Sequence, residues 1–345
     1  MSNIYFLEKH GDANIYIKRE DLHPFSFGGN KVKIAQELFA DMEDRGFSSV
    51  ISFGSPTSNM NRAVAHMAAS KGIPCYVVMK KDPDDHGPFL PDGPVPMNEY
   101  LVRMSGAEVI ECVPDKVRET IDTVIARSEG KGEKPYYIYG DSTGHGNEEV
   151  LMRAYGKQYW PIREYEREQG IDFRHIFLPV GTAATISGLI ASISEGYEVE
   201  DPGVQVHGIS IARSAPAVRE AIAAFLSSCG YDTDLCFSIA DVTDAYLGGG
   251  YGSSSGAPGS CSADRKGHCP EGRRSIGDPE TGPVTALILD MMRRHGLPLD
   301  PVYTGKAFYG MLREIDRLKI GGDVLFIHTG GLPLYMDHLR SLSAE

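Results

Sequence analysis

The hydrophobic and polar positions of this chain follow two alternating patterns. Short apolar runs bounded by turn residues, at 49–53, 75–79, 108–112, 136–139, 175–179, 204–210 and 324–328, predict buried strands. Between them, apolar residues recur at helical spacing over 32–39, 59–70 and 97–104, from about Pro114, and over 148–168, 215–227 and 281–295, with a further helix opening within 299–307. Strands that alternate with helices predict an α/β fold of open, mostly parallel sheets with helices on both faces. At 345 residues the chain is long enough to divide into two lobes, the second beginning after the 148–168 helix.

The interruptions of this pattern hold the candidate chemistry. Residues 18–31 read Lys-Arg-Glu-Asp-Leu-His-Pro-Phe-Ser-Phe-Gly-Gly-Asn-Lys: a polar strand end, a turn fixed by Pro24, and a glycine pair that allows close backbone approach before a helix. Lys31 stands in that helix's first turn, where the positive helix end would favour an acidic residue. Neighbouring positive potential would lower the pKa of such an amine and suit it to condensation with a carbonyl; the alternative is a solvated surface lysine. Ser55, Thr57, Ser58 and Asn59 sit in a loop between a strand and a helix start, an anion site or plain N-capping. Residues 180–189 read Val-Gly-Thr-Ala-Ala-Thr-Ile-Ser-Gly-Leu after a strand, which offers a phosphate monoester close backbone approach and a positive helix end. The same small residues also serve tight helix packing, and neither the Walker lysine nor the dinucleotide glycine spacing is present. Tyr251 lies in the glycine-dense 247–252 loop, projecting into a cleft or capping a surface turn.

Composition narrows the partners. The net charge of −13 argues against nucleic acid and anionic membrane surfaces, and no apolar run is long enough for a bilayer. The start Met-Ser-Asn lacks a signal-peptide layout, and six scattered cysteines read as reduced thiols, so cytoplasmic residence is expected. The 82–96 loop is longer than a simple connection needs, which suits a cover over a cleft. Residues 253–276 form a polar Gly/Ser insertion; its Cys261, His268 and Cys269 match no common zinc spacing, and no metal is expected.

Lys-Arg-Glu-Asp followed by Gly-Gly-Asn-Lys, Ser58-Asn59 followed by Arg62, the 181–185 turn, Tyr251-Gly252, Tyr303-Thr304-Gly305-Lys306 and His328-Thr329-Gly330-Gly331 together resemble the D-cysteine desulfhydrase and 1-aminocyclopropane-1-carboxylate deaminase family. The resemblance covers most of the chain apart from 253–276. It implies a two-lobed fold type II enzyme dependent on pyridoxal 5'-phosphate, with a large cofactor-binding lobe of 1–45 and 165–345, a small lobe of 46–164, and a homodimeric assembly. In this reading Lys31 carries the cofactor and moves the α proton. Asn30, Gly181, Thr182, Ala183, Ala184 and Thr185 hold the cofactor and its phosphate. Ser58, Asn59 and Met60 meet the substrate, and Tyr251 and Tyr303 line the reacting face as catalytic partners. Thr304 or Thr329 faces the pyridine nitrogen. Two departures from the family pattern are Met60, where Gln or His is usual, and Ala183-Ala184, where glycines are usual. Cyclopropane deaminases carry a glutamate and a leucine at the places of Thr304 and Thr329, so the implied activity is α,β-elimination from a small β-substituted amino acid. The alternatives are β-replacement, cyclopropane deamination, and a non-catalytic metabolite binder.

Overall fold

The computed structural model describes residues 3–81, 95–197, 203–247 and 282–343. Its strands are β1 (Ile4–His10), β2 (Ala13–Arg19), β3 (Ser49–Gly54), β4 (Cys75–Lys80), β5 (Glu108–Cys112), β6 (Pro135–Tyr137), β7 (Phe173–Val180), β8 (Gln205–Ser210), β9 (Ala240–Thr243) and β10 (Gly322–His328). Its helices are α1 (Asn30–Asp44), α2 (Asn59–Lys71), α3 (Met97–Met104), α4 (Val117–Gly130), α5 (Glu148–Gly156), α6 (Tyr159–Gln169), α7 (Ala184–Tyr197), α8 (Ala215–Ser228), α9 (Thr233–Ser238), α10 (Pro283–His295), α11 (Thr304–Leu318) and α12 (Leu332–Ser343). Tyr251, the 253–276 insertion and most of the 82–96 loop lie outside the described residues.

Two sheets form, a six-stranded one in the order β1-β2-β10-β7-β8-β9 and a four-stranded one in the order β5-β4-β3-β6. Only β1 and β2 pair antiparallel among the described strands; every other pairing is parallel. Parallel strands are covered on both faces, which is why β3, β4, β7 and β10 are apolar runs rather than alternating ones. The chain crosses from the small sheet to the large one between β6 and β7, by way of α5 and α6.

The expected single helix over 148–168 is two, α5 and α6, separated at Lys157 and Gln158. Pro161 is the reason. Inside one continuous helix its ring would clash with the carbonyl of Lys157, whereas in the first turn of α6 its missing N–H costs nothing. The break turns Gln158 inward, where its side chain accepts from Lys33 Nζ at 2.6 Å and Lys18 Nζ at 3.1 Å.

One core runs from Val50, Val77 and Val78 of the small sheet past α1 and α2 to Leu189 and Ile222 beside the large sheet. A second packs Ile15, Ile17 and Phe326 against Val284, Phe308 and Met311 of α10 and α11. Small residues bring α5 and α7 together: a Cβ on Gly188 would lie 2.2 Å from the Met152 carbonyl oxygen. Among the described residues no helix is long and apolar enough to cross a membrane, and Cys75, Cys112, Cys229 and Cys236 are free thiols.

The topology makes one edge of the large sheet special. Because β2, β10 and β7 run parallel, their carboxyl ends share that edge, with His328 paired to Arg19 in register. In open α/β sheets, ligands collect at that edge. The residues that follow these three strands are the lysine loop, the 329–331 turn and the 181–185 turn.

Candidate active site

The segment 18–21 is anchored by buried ion pairs. Lys18 and Lys33 both meet Glu20, and Arg19 clamps Asp21 with two hydrogen bonds of 2.7 and 2.6 Å. Burial would raise the pKa of Glu20, but the two lysines outweigh it and hold the carboxyl below its ordinary range. Lys18, Arg19, Glu20 and Lys33 also line a groove beside α6. Their charges are already paired, with Glu20 between the two lysines and Asp21 on Arg19, which leaves none of them free for a ligand's charge.

After this anchor the backbone makes a tight turn through Ser26, Phe27, Gly28 and Gly29, all with positive φ (48°, 58°, 65° and 97°). A Cβ at Gly28 would lie 2.1 Å from the Asp21 carbonyl oxygen, so only glycine fits. The turn is pinned to the end of β10. Asn30 N donates to Thr329 O at 2.9 Å, and a Cβ at Gly330 (φ 101°) would lie 2.5 Å from the Cα of Gly29. His328 braces the same turn: its Nε2 donates to Pro298 O at 3.2 Å, while its Nδ1 accepts from Gly330 N at 3.2 Å, the pattern of a neutral imidazole.

Lys31 thus enters the first turn of α1 with its amine in a cleft. The described lining also includes Asn30, Asn59, Gly181, Thr182, Ala183, Thr185, Tyr303 and Thr329. No hydrogen bond or ion pair to the amine is found among the described residues, and burial lowers its pKa to about 8. The expected shift is present, but its cause is lost hydration rather than neighbouring positive charge. Between pH 8 and the ordinary 10.5, folding expels this proton, so the cost of burying the charge is fully present below about pH 8 and relieved as pH rises towards 10.5. Limited labelling of the cofactor-free protein with trinitrobenzenesulfonate, followed by peptide mapping, should show Lys31 reacting with a midpoint near pH 8, below that of exposed lysines. A midpoint shared with the exposed lysines contradicts this environment.

The 181–185 turn faces the lysine across the cleft. Gly181 lies under the Tyr303 ring, where a Cβ would be 3.3 Å from Cε1. Ala183 has φ 73°, a left-handed conformation that costs an L residue about 1–2 kcal/mol and that glycine takes freely. Ala183 O accepts the first helical bond of α7, from Ser187 N at 3.0 Å, so the first N–H groups of α7 are left without helical acceptors. Asn30 Nδ2 donates to Thr185 Oγ1 at 3.0 Å and ties the lysine's neighbour to this turn.

These features fit a pyridoxal phosphate. An otherwise unpartnered lysine amine, a strained small-residue turn at a helix N-terminus and the Thr329 hydroxyl, which has no hydrogen-bond partner among the described residues, converge on one cleft. A phosphate needs the N–H groups and the positive helix end, and an aldehyde needs the amine.

Other expected residues sit differently. Asn59 lines the cleft, whereas Ser58 caps α2 by accepting from Asn61 N at 3.2 Å, which leaves its own hydroxyl hydrogen to donate elsewhere. Met60, expected at the substrate, is only 6% exposed and packs in the main core. It follows Asn59 by one position, about 100° round α2, which turns it away from the cleft. Thr304, one of two residues expected at the pyridine nitrogen, is fully buried and absent from the cleft lining. Its hydroxyl donates to Asp300 Oδ2 at 2.7 Å and accepts from Asp300 N at 2.8 Å. Thr329 is the residue of that pair in the cleft. Sequence reasoning passed over Asp300, whose Oδ1 accepts from Tyr303 N at 2.8 Å and so fixes the start of α11. The Asp-Pro step at 300–301 was its signal. Asn98 also escaped notice, having no local pattern to mark it.

Comparisons with known proteins show the family and the fold. A family described as pyridoxal-phosphate dependent enzyme matches residues 3–253. D-cysteine desulfhydrase of Yersinia pestis (strain Pestoides F) is 27% identical over 327 residues, covering 92% of this chain and 87% of that protein. D-cysteine desulfhydrase of Klebsiella pneumoniae (strain 342) is 28% identical over 344 residues, covering 96% and 92%. Among solved structures, an ACC deaminase homologue superposes with a TM-score of 0.73 at 24% identity, covering 99% of this chain and 93% of that one. An O-ureido-L-serine synthase shares the fold at a TM-score of 0.59 and 14% identity, covering 97% and 90%.

Proposed function

This chain belongs to the family of pyridoxal-phosphate dependent enzymes, and on that premise we propose that it is a lyase performing α,β-elimination on a small β-substituted amino acid. The reading follows its D-cysteine desulfhydrase relatives: cysteine and water give a 2-oxo acid, ammonia and sulfide. Bound in the cleft, the cofactor would supply an electron sink for the pair left when the α proton departs.

The chain's own residues divide the rest of the work. Lys31 would hold the cofactor and, as a free amine, take the α proton at Nζ; burial, which lowers its pKa to about 8, favours the neutral form this needs. The N–H groups at the start of α7, with Thr182 and Thr185, would hold the phosphate. Ser58 and Asn59 receive the substrate carboxylate. Tyr303 closes the opposite side, with Tyr251 as a second proton carrier. The homodimer and the cytoplasmic setting expected from the sequence belong to the same proposal.

One observation favours elimination over cyclopropane opening: no carboxylate lines the cleft among the described residues, and the residue available to the pyridine nitrogen is the neutral Thr329. A hydroxyl leaves the ring a weaker sink than a carboxylate partner would, sufficient for expelling a thiolate and poorly matched to an unactivated cyclopropane. The test is turnover of D-cysteine, L-cysteine, β-chloroalanine, serine and 1-aminocyclopropane-1-carboxylate, with assays for 2-oxo acid, ammonia and sulfide. We expect sulfide and pyruvate from a cysteine enantiomer and none of the corresponding product from the cyclopropane. Product from the cyclopropane alone transfers the assignment to deamination; no 2-oxo acid from any of them overturns the enzymatic reading.

A further inference from the structure

The Lys31 amine has no hydrogen bond or ion pair among the described residues, so its place in the cleft is set by the backbone that carries it. That backbone is strained. Ser26 and Phe27 take positive φ of 48° and 58°, a conformation unfavourable to L side chains, and a turn of this kind persists only where its surroundings hold it. The turn follows β2 of the six-stranded sheet, yet the side chains that hold it come from α2, which follows β3 of the four-stranded sheet. Buried Arg62 donates from Nη2 to Gly28 O at 3.1 Å and from Nε to Ser26 Oγ at 3.3 Å, while its Nη1 meets Asn59 Oδ1 at 2.6 Å and Asn98 Oδ1 at 2.8 Å. One turn further along α2, His66 Nδ1 lies 2.8 Å from the same Ser26 Oγ, and its Nε2 lies 3.2 Å from Leu101 O of α3.

Donor and acceptor chemistry fixes the direction of each bond. A carbonyl only accepts, so Nε2 carries the hydrogen of the neutral imidazole and Nδ1 is bare. A guanidinium only donates, so Ser26 Oγ accepts from Arg62 and gives its own hydrogen to His66 Nδ1. The relay runs from Arg62 through Ser26 and His66 to Leu101. A proton added at Nδ1 would point at a hydroxyl already taking a bond from Arg62 and would set a second cation beside the first. Among the charged groups of the elements around it, only Arg62 acts on the imidazole; Glu99 and Arg103 of α3 pair with each other, and Lys71 of α2 pairs with Glu43 of α1. Burial, with the Arg62 charge adding to it, keeps the imidazole's pKa below its ordinary 6.5.

We propose that neutral His66 is a positioning residue for Lys31: by accepting the Ser26 hydroxyl it holds, together with Arg62, the strained turn that carries the lysine, and the hold is lost when the imidazole takes a proton. His66 touches neither the lysine nor the cleft lining, so it acts through the backbone alone. The inference rests on Lys31 holding the cofactor, as read above; the direction of the relay does not.

The test measures the dissociation constant of pyridoxal 5'-phosphate from the holoenzyme, by its visible absorbance, at about pH 7.5 and about pH 5. At the higher pH, Ser26→Ala and His66→Leu should each weaken retention about tenfold, and the double variant should lose no more than either alone, because both break one relay. His66→Gln should stay within about threefold of wild type, since its amide accepts from Ser26 and donates to Leu101 at once. On lowering the pH, the wild-type constant should rise about threefold more than that of His66→Gln, which has no proton to take up there; the pH dependence contributed by Lys31 is common to both. Ser26→Ala, which removes one half-buried hydroxyl, carries the test should His66→Leu not fold. Equal pH dependence in wild type and His66→Gln, wild-type retention in Ser26→Ala, or full additivity in the double variant overturns the positioning role while leaving the elimination reading intact. A wild type that develops no visible band with the cofactor at either pH overturns both.

Discussion

Lys31→Ala purifies folded and colourless, with turnover reduced by about 10^3-fold or more. Two features of the site set this expectation. The amine has no hydrogen-bond or ion-pair partner among the described residues, so its removal breaks no network. Burial disfavours its charged form, so replacing it with a methyl group relieves a penalty and leaves thermal stability equal to or slightly above that of the cofactor-free wild type. Loss of activity can then be separated from loss of fold, which a catalytic substitution seldom permits. The measurement is the visible spectrum of the purified protein, together with borohydride treatment and peptide mapping of the wild type, which should fix the cofactor to a single peptide containing Lys31. A coloured Lys31→Ala protein, or an adduct on another lysine such as the buried Lys306, removes the amine from its assigned role. Lys306 is the natural competitor, since burial also lowers its pKa to about 8. Its Nζ, however, donates to the carbonyls of Leu247 at 2.9 Å and Ile211 at 3.4 Å, and it is absent from the cleft lining.

Gly330→Ala should be a severely damaging single-methyl change beside the cleft. The new Cβ would stand 2.5 Å from the Cα of Gly29, at a φ of 101° that L residues rarely adopt. Backbone strain of about 1–3 kcal/mol and overpacking of similar size together predict a loss of roughly 2–5 kcal/mol. The atoms it strikes are backbone and cannot rotate away. Relief requires separating the 329–331 turn from the lysine loop, which breaks the Asn30 N to Thr329 O bond and the Gly330 N to His328 contact. Cofactor retention should therefore fall with stability. Gly72→Ala is the control. Gly72 also has positive φ, 66°, but caps α2 with nothing within 4 Å of a Cβ, so it should cost only about 1 kcal/mol. Urea denaturation midpoints compare the two, and equal losses would show that the two turns are not packed as described.

The strand and helix periods were legible in the chain because both are local. Apolar runs at β3, β4, β7, β8 and β10 carry their own burial on both faces, and parallel α/β layering follows from their alternation with helices. The candidate lysine, the Ser58-Asn59 segment and the 181–185 turn were legible because tight turns before helix starts restrict residue choice. The short elements β9 and α9, the β1–β2 hairpin and α12 were not assigned, since edge and terminal elements carry too few periodic positions. The split of 148–168 into α5 and α6 was written in Pro161, but only if a clash with the carbonyl of Lys157 outweighs continuous amphipathic spacing.

What the sequence determined by itself is the class of fold, the loops that interrupt it and the residue types available for chemistry. Where each side chain points was decided only in three dimensions. Met60 went to the core and Asn59 to the cleft because they stand about 100° apart round α2, which packs into the core just beyond its first residue. Thr304 turned to Asp300 and Thr329 to the cleft because β10 ends beside the lysine loop while Thr304 begins a helix whose free N–H groups needed a carboxylate. Asn98 joined the site across the fold through the guanidinium of Arg62, a contact 36 residues apart along the chain. Spacing within a segment fixes which residues share a face, but the partners of that face come from elsewhere in the chain, and packing selects them.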